Sequence, residues 1–277
     1  MVSKIITKSI FATSLAEALE ARQNPKLIPY IGGTDLMVED PPDASYLFLN
    51  KVPEIRSIVT RDDSLFIGAG VTFTEIIHHK DTPQILKEAC KQIAAPAIRN
   101  KGSVGGNIGN GSAKADSALI FMVLDATLRL ANTKEERLLP IKDFYQGKKK
   151  LDLKPDELIV EVIIPRKGLD NFYYHKVGAR DALAISRLSF AGIIEIEEGI
   201  ITHLATAFGA VADVIIRLDD VDNMLIGKTI PQAKEIKKDY LEAMEEAIIP
   251  IRGRVSIEYR KDVVMNLLRD FLTSKGI

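Results

Sequence analysis

A glycine-rich segment, Arg99–Ser112, is the part of the chain whose residue types point most directly to chemistry. Five of its fourteen residues are glycine, and Ser103, Asn107 and Asn110 supply short polar side chains between them. Glycine adopts left-handed backbone conformations without penalty and lets main-chain N–H groups approach a ligand closely. Successive N–H groups that point to one side of a turn form a concave anion site. The segment therefore predicts a cradle for a phosphate or a pyrophosphate.

Two common phosphate-binding motifs do not match this segment. A Walker A loop ends in Gly-Lys-Ser/Thr, whereas Gly111 is followed by Ser112 and Ala113 before Lys114. A Rossmann fingerprint reads G-x-G-x-x-G, and Lys114 stands where its third glycine belongs. The segment thus predicts phosphate binding outside both of these scaffolds.

A second, shorter glycine segment follows a predicted strand over residues 27–31. The strand leads into Gly32-Gly33-Thr34-Asp35-Leu36. Two glycines followed by Thr and Asp favour a tight turn that opens a short helix, whose free N–H groups face the turn. An ordinary strand–turn–helix corner would show the same residues. Two separate anion cradles favour a ligand with two phosphates, and hence a dinucleotide.

These two segments carry a resemblance to a known family. Ile28–Leu36 and Arg99–Asn107, together with Ser112 and Asp116, resemble the FAD-binding (medium) subunit of the molybdenum hydroxylases, which include bacterial xanthine, carbon monoxide and nicotinate dehydrogenases. The resemblance extends along nearly the whole chain and also covers Leu65–Thr72, Glu157–Pro165, Tyr174–Lys176, Arg180 and Gly227-Lys228. The family usually has proline after the serine of this loop, whereas here Ala113 follows Ser112, so the flavin could be held differently or less tightly.

The resemblance implies an α+β fold with a two-part FAD-binding domain of the PCMH, or vanillyl-alcohol-oxidase-like, type. This domain is expected over 1–167, with subdomains of about 1–54 and 55–167, and a smaller α+β domain with an antiparallel sheet over 168–277. The residue pattern itself favours α+β for the second half, because a series of strands precedes two amphipathic helices there. Arg166–Asp170 is the candidate linker.

The resemblance also implies which residues bind FAD. Gly32, Gly33, Gly105 and Gly106 are expected to face the pyrophosphate, and Asn107 is expected to shape the loop through its amide. The full set of expected cofactor-binding residues is Pro29, Tyr30, Ile31, Gly32, Gly33, Thr34, Asp35, Leu36, Ile93, Ser103, Val104, Gly105, Gly106, Asn107, Ser112, Asp116, Leu158, Ile159 and Lys176. No catalytic residue and no metal ligand is expected in this chain.

Several of these residues have a structural alternative. The four glycines could serve turn geometry alone, and Thr34 and Ser103 could be simple helix caps. Asp116 matches the family's acidic residue that binds the flavin's sugar-alcohol chain, but it could instead be the N-cap of the helix that begins there. Lys176 matches a basic residue that reaches FAD from the second domain, whereas its type alone suggests a solvated lysine. Ile93, Leu158 and Ile159 match cofactor contacts and could equally be core residues.

Two charged clusters outside this set are expected to lack a binding role. Lys148–Lys150 is interpreted as a solvated turn, with docking to an acidic partner as the alternative. Asp219, Asp220 and Asp222 are interpreted as a loop, because a calcium site needs a denser pattern of oxygen ligands.

Composition limits the other possible functions. The net charge of −1 argues against nucleic-acid binding, and no apolar run is long enough for a membrane span. One cysteine and four histidines are too few for an iron–sulfur cluster, and a metal site built by this chain is not expected. The N-terminus lacks the apolar region of a signal peptide, so a cytoplasmic location is predicted. Any redox chemistry would thus use an organic cofactor.

The hydrophobic pattern predicts alternating strands and helices. Ser14–Glu17 reads as a capping box that opens a helix to about Arg22. Strands are predicted over 27–31, 46–50, 56–60, 65–71, 127–131, 158–164, 171–177, 188–196, 200–209 and 214–217, and helices over about 83–94, 116–124, 231–247 and 256–273. The strands 188–196 and 200–209 are expected to form an antiparallel hairpin.

The function implied by the resemblance is electron transfer. Electrons from a molybdopterin site on a large subunit would pass through two [2Fe–2S] clusters on a small subunit to FAD here, and then to NAD or another acceptor. Two alternatives stay open: a stand-alone FAD-dependent oxidoreductase, and a non-catalytic flavin- or nucleotide-binding protein.

Overall fold

The computed structural model describes residues 8–39, 41–180, 183–253 and 255–277. The N-terminal sheet is parallel, with strand order β1-β3-β2. Its elements are β1 (Ile10–Phe11), α1 (Leu15–Arg22), β2 (Leu27–Tyr30), α2 (Leu36–Glu39) and β3 (Ser45–Phe48). The Ser14 hydroxyl caps α1 as predicted, by accepting from the Glu17 N–H at 3.2 Å. The Glu17 carboxylate accepts from the N–H of Thr13, one residue earlier than a capping box requires.

The central sheet is antiparallel and has five strands in the order β4-β5-β10-β6-β7. Its elements and the helices beside it are β4 (Ile58–Arg61), β5 (Ser64–Gly68), α3 (Phe73–His78), α4 (Gln84–Lys91), α5 (Pro96–Arg99), α6 (Val104–Gly109), α7 (Asp116–Val123), β6 (Thr127–Ala131), β7 (Glu136–Pro140), α8 (Ile141–Phe144), β8 (Tyr145–Gly147), β9 (Lys150–Leu151) and β10 (Leu158–Pro165). The short strands β8 and β9 form a separate hairpin.

The C-terminal sheet is an antiparallel meander of β11 to β14. Its elements are β11 (Phe172–Val177), β12 (Leu188–Glu197), β13 (Ile200–Gly209), β14 (Ile216–Arg217), α9 (Asp219–Asp222), α10 (Ile230–Glu235), α11 (Lys237–Ala247) and α12 (Ile257–Ser274). The predicted hairpin is confirmed, because β12 pairs antiparallel with β13. Its turn residues Glu198 and Gly199 both have positive φ angles, of 51° and 79°, as tight hairpin turns require.

Helix α7 joins the central and C-terminal sheets. All eight of its residues are buried, and it contacts α4 on one side and β12 and β13 on the other. A helix that is apolar on every face is stable only when it is covered all round. One hydrophobic cluster accordingly contains Leu119 of α7, Leu65 of the central sheet, and Ala191 and Ala205 of the C-terminal sheet.

The structure corrects three expectations about elements. The glycine-rich segment is not a continuous loop, because Val104–Gly109 is helical under a Ser103 N-cap. The helix predicted over 231–247 is two helices that meet at Ile236. Asp219–Asp222 is helical, not a loop, and Asp222 is 1% exposed. Within the described residues, no helix combines the length and hydropathy needed to span a bilayer.

Candidate functional site

A cavity of about 440 Å³ lies where the two glycine segments meet, a volume within the range of small-molecule sites. The end of β2 and the start of α2 contribute one part of the lining, α6 contributes a second part, and the first residues of β10 contribute a third. The cavity therefore lies between the N-terminal and central sheets.

Gly32 is the point of contact between the first two parts of the lining. A Cβ atom at Gly32 would lie 1.8 Å from the carbonyl oxygen of Lys101 and 2.5 Å from its carbonyl carbon. At Gly33 the φ angle is +66° and a Cβ would lie 2.1 Å from the Tyr30 hydroxyl oxygen. Any side chain at either position would therefore push apart the two segments or displace the Tyr30 ring.

The turn at Gly32–Thr34 leaves main-chain donors available. The N–H groups of Gly32, Gly33 and Thr34 donate to no acceptor among the residues that the structure describes, and all three residues line the cavity. At the start of helix α2, which follows the turn, the Met37 N–H donates to Gly33 O at 2.9 Å. The predicted turn that opens a short helix is thus present, and its N–H groups are unpaired in residues that line the cavity, so an anion bound there could satisfy them.

The glycine-rich segment Arg99–Ser112 differs from its prediction. The Val104 N–H donates to Val71 O at 2.9 Å, and the Gly105 N–H donates to Ala69 O at 2.8 Å. The Gly106 N–H donates to the Ser103 hydroxyl at 3.2 Å. The N–H groups of Gly105 and Gly106 are therefore not free for an anion, because they cap α6 and join it to the residues after β5. Both glycines line the cavity, and their contact with a pyrophosphate stays a prediction.

Side-chain hydrogen bonds fix the glycine-rich segment Arg99–Ser112 to its surroundings. The Asn110 amide donates to the Asp35 carboxylate at 2.7 Å, which joins two parts of the cavity lining. The Asn107 amide oxygen accepts from the Ser117 hydroxyl at 2.7 Å and so ties α6 to α7. The Asn107 amide therefore helps to fix the position of α6 against α7.

Part of the cavity lining is apolar. It includes Ile28, Leu49, Leu153, Leu158 and Ile159. A flat apolar group would be desolvated against these side chains, while a charged group would be held at the turn. The cavity thus suits an elongated ligand with one aromatic part and one anionic part.

Asp116 and Lys176 form a buried ion pair beyond the cavity lining. The Lys176 ammonium lies 2.7 Å from one carboxylate oxygen of Asp116, and the other oxygen accepts from the Ser186 hydroxyl at 2.6 Å. The side chains are 6% and 7% exposed for Asp116 and Lys176. Lys176 also donates to Gln92 O at 2.9 Å. Burial raises the pKa of Asp116, although the charge and hydrogen bond of Lys176 oppose this.

Both alternative interpretations of this pair are wrong. Asp116 is the first helical residue of α7 and Ala115 is its N-cap, without a side-chain cap. Lys176 is not solvated, because it lies in β11 and points into the contact between the central and C-terminal sheets. The pair therefore joins α7 to β11.

The cavity brings together thirteen of the nineteen predicted cofactor residues. Those thirteen are Pro29, Ile31, Gly32, Gly33, Thr34, Asp35, Leu36, Ser103, Gly105, Gly106, Asn107, Leu158 and Ile159. The six predicted residues outside the lining are Tyr30, Ile93, Val104, Ser112, Asp116 and Lys176. Val104 is a buried core residue, and the Ser112 hydroxyl accepts from the Lys114 N–H.

Several lining residues were not predicted from the sequence. They are Arg22, Ile28, Glu39, Leu49, Ala69, Phe73, Gly102, Gly109, Asn110, Lys149, Leu153 and Glu157. Gly102, Gly109 and Asn110 lie inside the glycine-rich segment, so its composition could have pointed to them. Lys149 belongs to the lysine triplet that was interpreted as a solvated turn; it lies in a turn and is exposed as predicted, and it also lines the cavity. Arg22 and Leu49 carry no local signal.

Comparison with known proteins finds similarity along nearly the whole chain. Residues 6–167 match the family described as the FAD binding domain in molybdopterin dehydrogenase, and residues 173–274 match the CO dehydrogenase flavoprotein C-terminal domain. The xanthine dehydrogenase FAD-binding subunit of Escherichia coli O157:H7 is 30% identical over 278 residues, covering 96% of this chain and 93% of that protein. The nicotinate dehydrogenase FAD-subunit of Eubacterium barkeri is 28% identical over 252 residues, covering 86% of this chain and 84% of that protein.

A solved structure shows the same fold. Carbon monoxide dehydrogenase from Hydrogenophaga pseudoflava superposes with a TM-score of 0.86 at 22% identity, over 96% of both chains. The α+β fold with a two-part FAD-binding domain and a C-terminal antiparallel sheet is thereby confirmed. The chain belongs to the family of FAD-binding subunits of the molybdenum hydroxylase-type dehydrogenases, and its cofactor is FAD.

Proposed function

We propose that this chain holds one FAD in the cavity between the two glycine segments and transfers electrons within a molybdenum hydroxylase complex. The observation that carries the proposal is the turn at Gly32–Thr34, whose residues line the cavity and whose N–H groups have no acceptor among the described residues. These donors fit a diphosphate, and the apolar part of the lining fits an aromatic ring. Bound FAD supplies the exchange between one-electron carriers and two-electron acceptors, while the protein binds and orients it.

The proposed cofactor path runs from the Gly32–Thr34 turn past Asn107 to the Asp116–Lys176 pair. Asn107 lines the cavity and is hydrogen-bonded to Ser117, the residue next to Asp116. Asp116 is thus the sequence neighbour of a residue that is bonded to the cavity lining. We propose that Asp116 meets the hydroxyl groups of the sugar-alcohol chain and that Lys176 lies near the flavin ring, where its charge would favour the reduced, anionic form.

The remaining assignments in this path are proposals of the same kind. Leu158 and Ile159 would offer their apolar side chains and main-chain groups to the cofactor at the apolar part of the cavity lining. Ile93 is partly buried against the core beside Gln92, whose carbonyl oxygen accepts from Lys176. It would therefore contact the cofactor near Lys176.

The names of two relatives are the basis for the proposed partner subunits. One relative is named a glyceraldehyde dehydrogenase medium chain and another a nicotine 6-hydroxylase medium subunit. We infer a small subunit with two [2Fe–2S] clusters and a large molybdopterin subunit, with NAD or another molecule as the final acceptor. We also infer that the complex is located in the cytoplasm.

We also divide the chain into a FAD-binding domain over 1–167, with subdomains of about 1–54 and 55–167, and a C-terminal domain over 168–277.

Affinity purification of the tagged chain from its own cells tests this proposal. The expected eluate contains two further chains, molybdenum, and about four iron atoms per flavin, since each cluster holds two irons. A chain that elutes alone with flavin and oxidises NADH by itself would show a stand-alone oxidoreductase. A chain that elutes alone and colourless, and takes up no added flavin, would show a protein without a redox role.

A further inference from the structure

We propose that Lys149 neutralises the charge of the cofactor's diphosphate and that Glu39 holds this lysine at the cavity mouth until the cofactor binds. The inference rests on FAD occupying the cavity between the glycine segments. Lys149 and Glu39 both line that cavity, and the Lys149 ammonium lies 2.7 Å from the Glu39 carboxylate. Glu39 is the last residue of α2, the helix that begins at the Gly32–Thr34 turn.

The charge of the cavity wall creates the need for such a cation. The lining contains three carboxylates, from Asp35, Glu39 and Glu157, and two basic side chains, from Arg22 and Lys149. Glu157 is paired with Arg137 at 2.8 Å, whereas Asp35 and Glu39 lie on the α2 side of the cavity. A diphosphate brings two further negative charges into this space. Main-chain N–H groups supply only partial positive charge, so a full cation lowers the cost of placing the diphosphate beside Asp35 and Glu39.

Arg22 is committed to structural hydrogen bonds. Its guanidinium donates to Leu27 O at 2.7 Å and to Glu157 O at 3.3 Å. These bonds tie α1 to β2 and to the residue before β10, so Arg22 cannot leave them without loosening two elements. Of the two basic groups in the described lining, Lys149 is therefore the one that can move to a ligand.

The backbone of Lys149 is held at the mouth by the glycine-rich segment. Lys149 has a φ angle of 53°, and a Cβ at Gly111 would lie 3.1 Å from the Lys149 Cα. The Tyr145 hydroxyl, at the other end of the β8–β9 hairpin, donates to Ile108 O at 3.4 Å. The hairpin is thus packed against the segment that forms the second part of the cavity lining, while the four-carbon side chain of Lys149 stays free to reorient.

The ion pair with Glu39 is weak enough to be exchanged. The Lys149 side chain is 58% exposed and the Glu39 side chain 49% exposed. Ion pairs in such solvated positions contribute little to stability. A diphosphate carries more charge than one carboxylate, so the ammonium is expected to turn to it when both are within reach.

Equilibrium titration with FAD, followed by flavin fluorescence, tests the proposal in the full chain. Lys149→Met keeps the length of the side chain and removes the charge, and it should raise the dissociation constant about three- to tenfold at low salt. Lys148→Met is the matched control, because Lys148 is on the same turn but outside the lining, and it should change the constant less than about twofold. Glu39→Gln should tighten binding about two- to fivefold, since the competing carboxylate is gone.

Salt provides a second readout that separates charge from shape. Added salt should weaken FAD binding by the parent chain more than by Lys149→Met, because one screened attraction is missing in the variant. Equal constants and equal salt dependence for Lys149→Met and Lys148→Met would overturn the proposal. So would a loss of affinity in Glu39→Gln as large as in Lys149→Met, because the intact ion pair would then be the group that holds the cofactor.

Failure of this inference can be told apart from failure of the proposed function. A parent chain that binds FAD, with variants that do not differ from it, refutes the role of Lys149 alone. A parent chain that binds no FAD refutes the occupancy of the cavity and the role of Lys149 together.

Discussion

The substitution Gly32→Ala tests the close contact of the two glycine segments. The added Cβ would lie 1.8 Å from Lys101 O and 3.2 Å from Gly102 N. Both obstacles are backbone atoms, so relief requires one segment to move by about 1 Å or more, since non-bonded heavy atoms do not approach much below 3 Å. Gly32 also begins the turn whose N–H groups have no acceptor among the described residues.

The size of the effect follows from this displacement. Inserting one carbon into a packed contact costs about 1–3 kcal/mol of unfolding free energy. A shift of about 1 Å also takes an N–H···O bond from 2.9 Å to beyond hydrogen-bond distance. Loss of one bond to a charged phosphate oxygen is worth about 1.5–3 kcal/mol, which corresponds to roughly ten- to a hundredfold weaker FAD binding.

Gly109→Ala is the matched control for this substitution. Gly109 lines the same cavity and belongs to the same glycine-rich segment, but the nearest atom to its added Cβ is Ile159 Cδ1 at 3.6 Å. Because alanine favours helix over glycine by up to about 1 kcal/mol, this variant should be as stable as the parent or slightly more stable. Urea unfolding and FAD titration of the two variants measure the difference. Equal stability and equal affinity in both would refute the contact at Gly32.

Three further predictions concern buried groups. Lys176→Met should destabilise the chain by about 3–5 kcal/mol at pH 7, because the buried Asp116 carboxylate loses its cation; the pKa of Asp116, already raised by burial, then rises further. In the variant, the Asp116 carboxyl binds its proton more tightly in the folded than in the unfolded state, so the free energy of unfolding should fall as pH rises above the unfolded-state pKa. Urea unfolding should therefore show a smaller loss of stability at pH 5 than at pH 7. Asp222→Asn should cost about 2–4 kcal/mol by the same assay, because its buried carboxylate accepts from the Tyr240 hydroxyl at 2.8 Å; a change below about 0.5 kcal/mol would contradict this. Burial raises the pKa of the Cys90 thiol, so a disulfide reagent should modify it only after unfolding, and rapid reaction of the native chain would be inconsistent with the buried position.

The sequence predicted most elements because their signals are local. The strand over 158–164 alternates in hydrophobicity, and the structure has β10 at Leu158–Pro165 with alternate residues buried. The turn at Glu198 and Gly199 joins the hairpin as predicted. Helix α6 was missed because glycine disfavours helix, and its first N–H groups find acceptors in Val71 and Ala69, about thirty residues earlier in the chain.

The cavity lining was predictable from the sequence where a main-chain turn forms it, and less so where side chains from distant segments form it. The adjacent glycines Gly32 and Gly33 indicate a turn by their residue type alone. Lysine is a residue type that usually lies at the surface. Lys176 is instead buried in an ion pair with Asp116 of α7. Lys149 reaches the cavity because its hairpin packs on Gly111, a contact between residues 38 positions apart that no local pattern reveals.

The stoichiometry of flavin bound to the purified chain tests the central claim most directly. The chain would be saturated with FAD, freed of excess by gel filtration, and its visible spectrum recorded before the flavin is released and identified. We expect one FAD per chain, and a Gly32→Ala variant that retains much less. A folded parent chain that leaves the column colourless after saturation with FAD would contradict the assignment of the cavity between the two glycine segments to this cofactor.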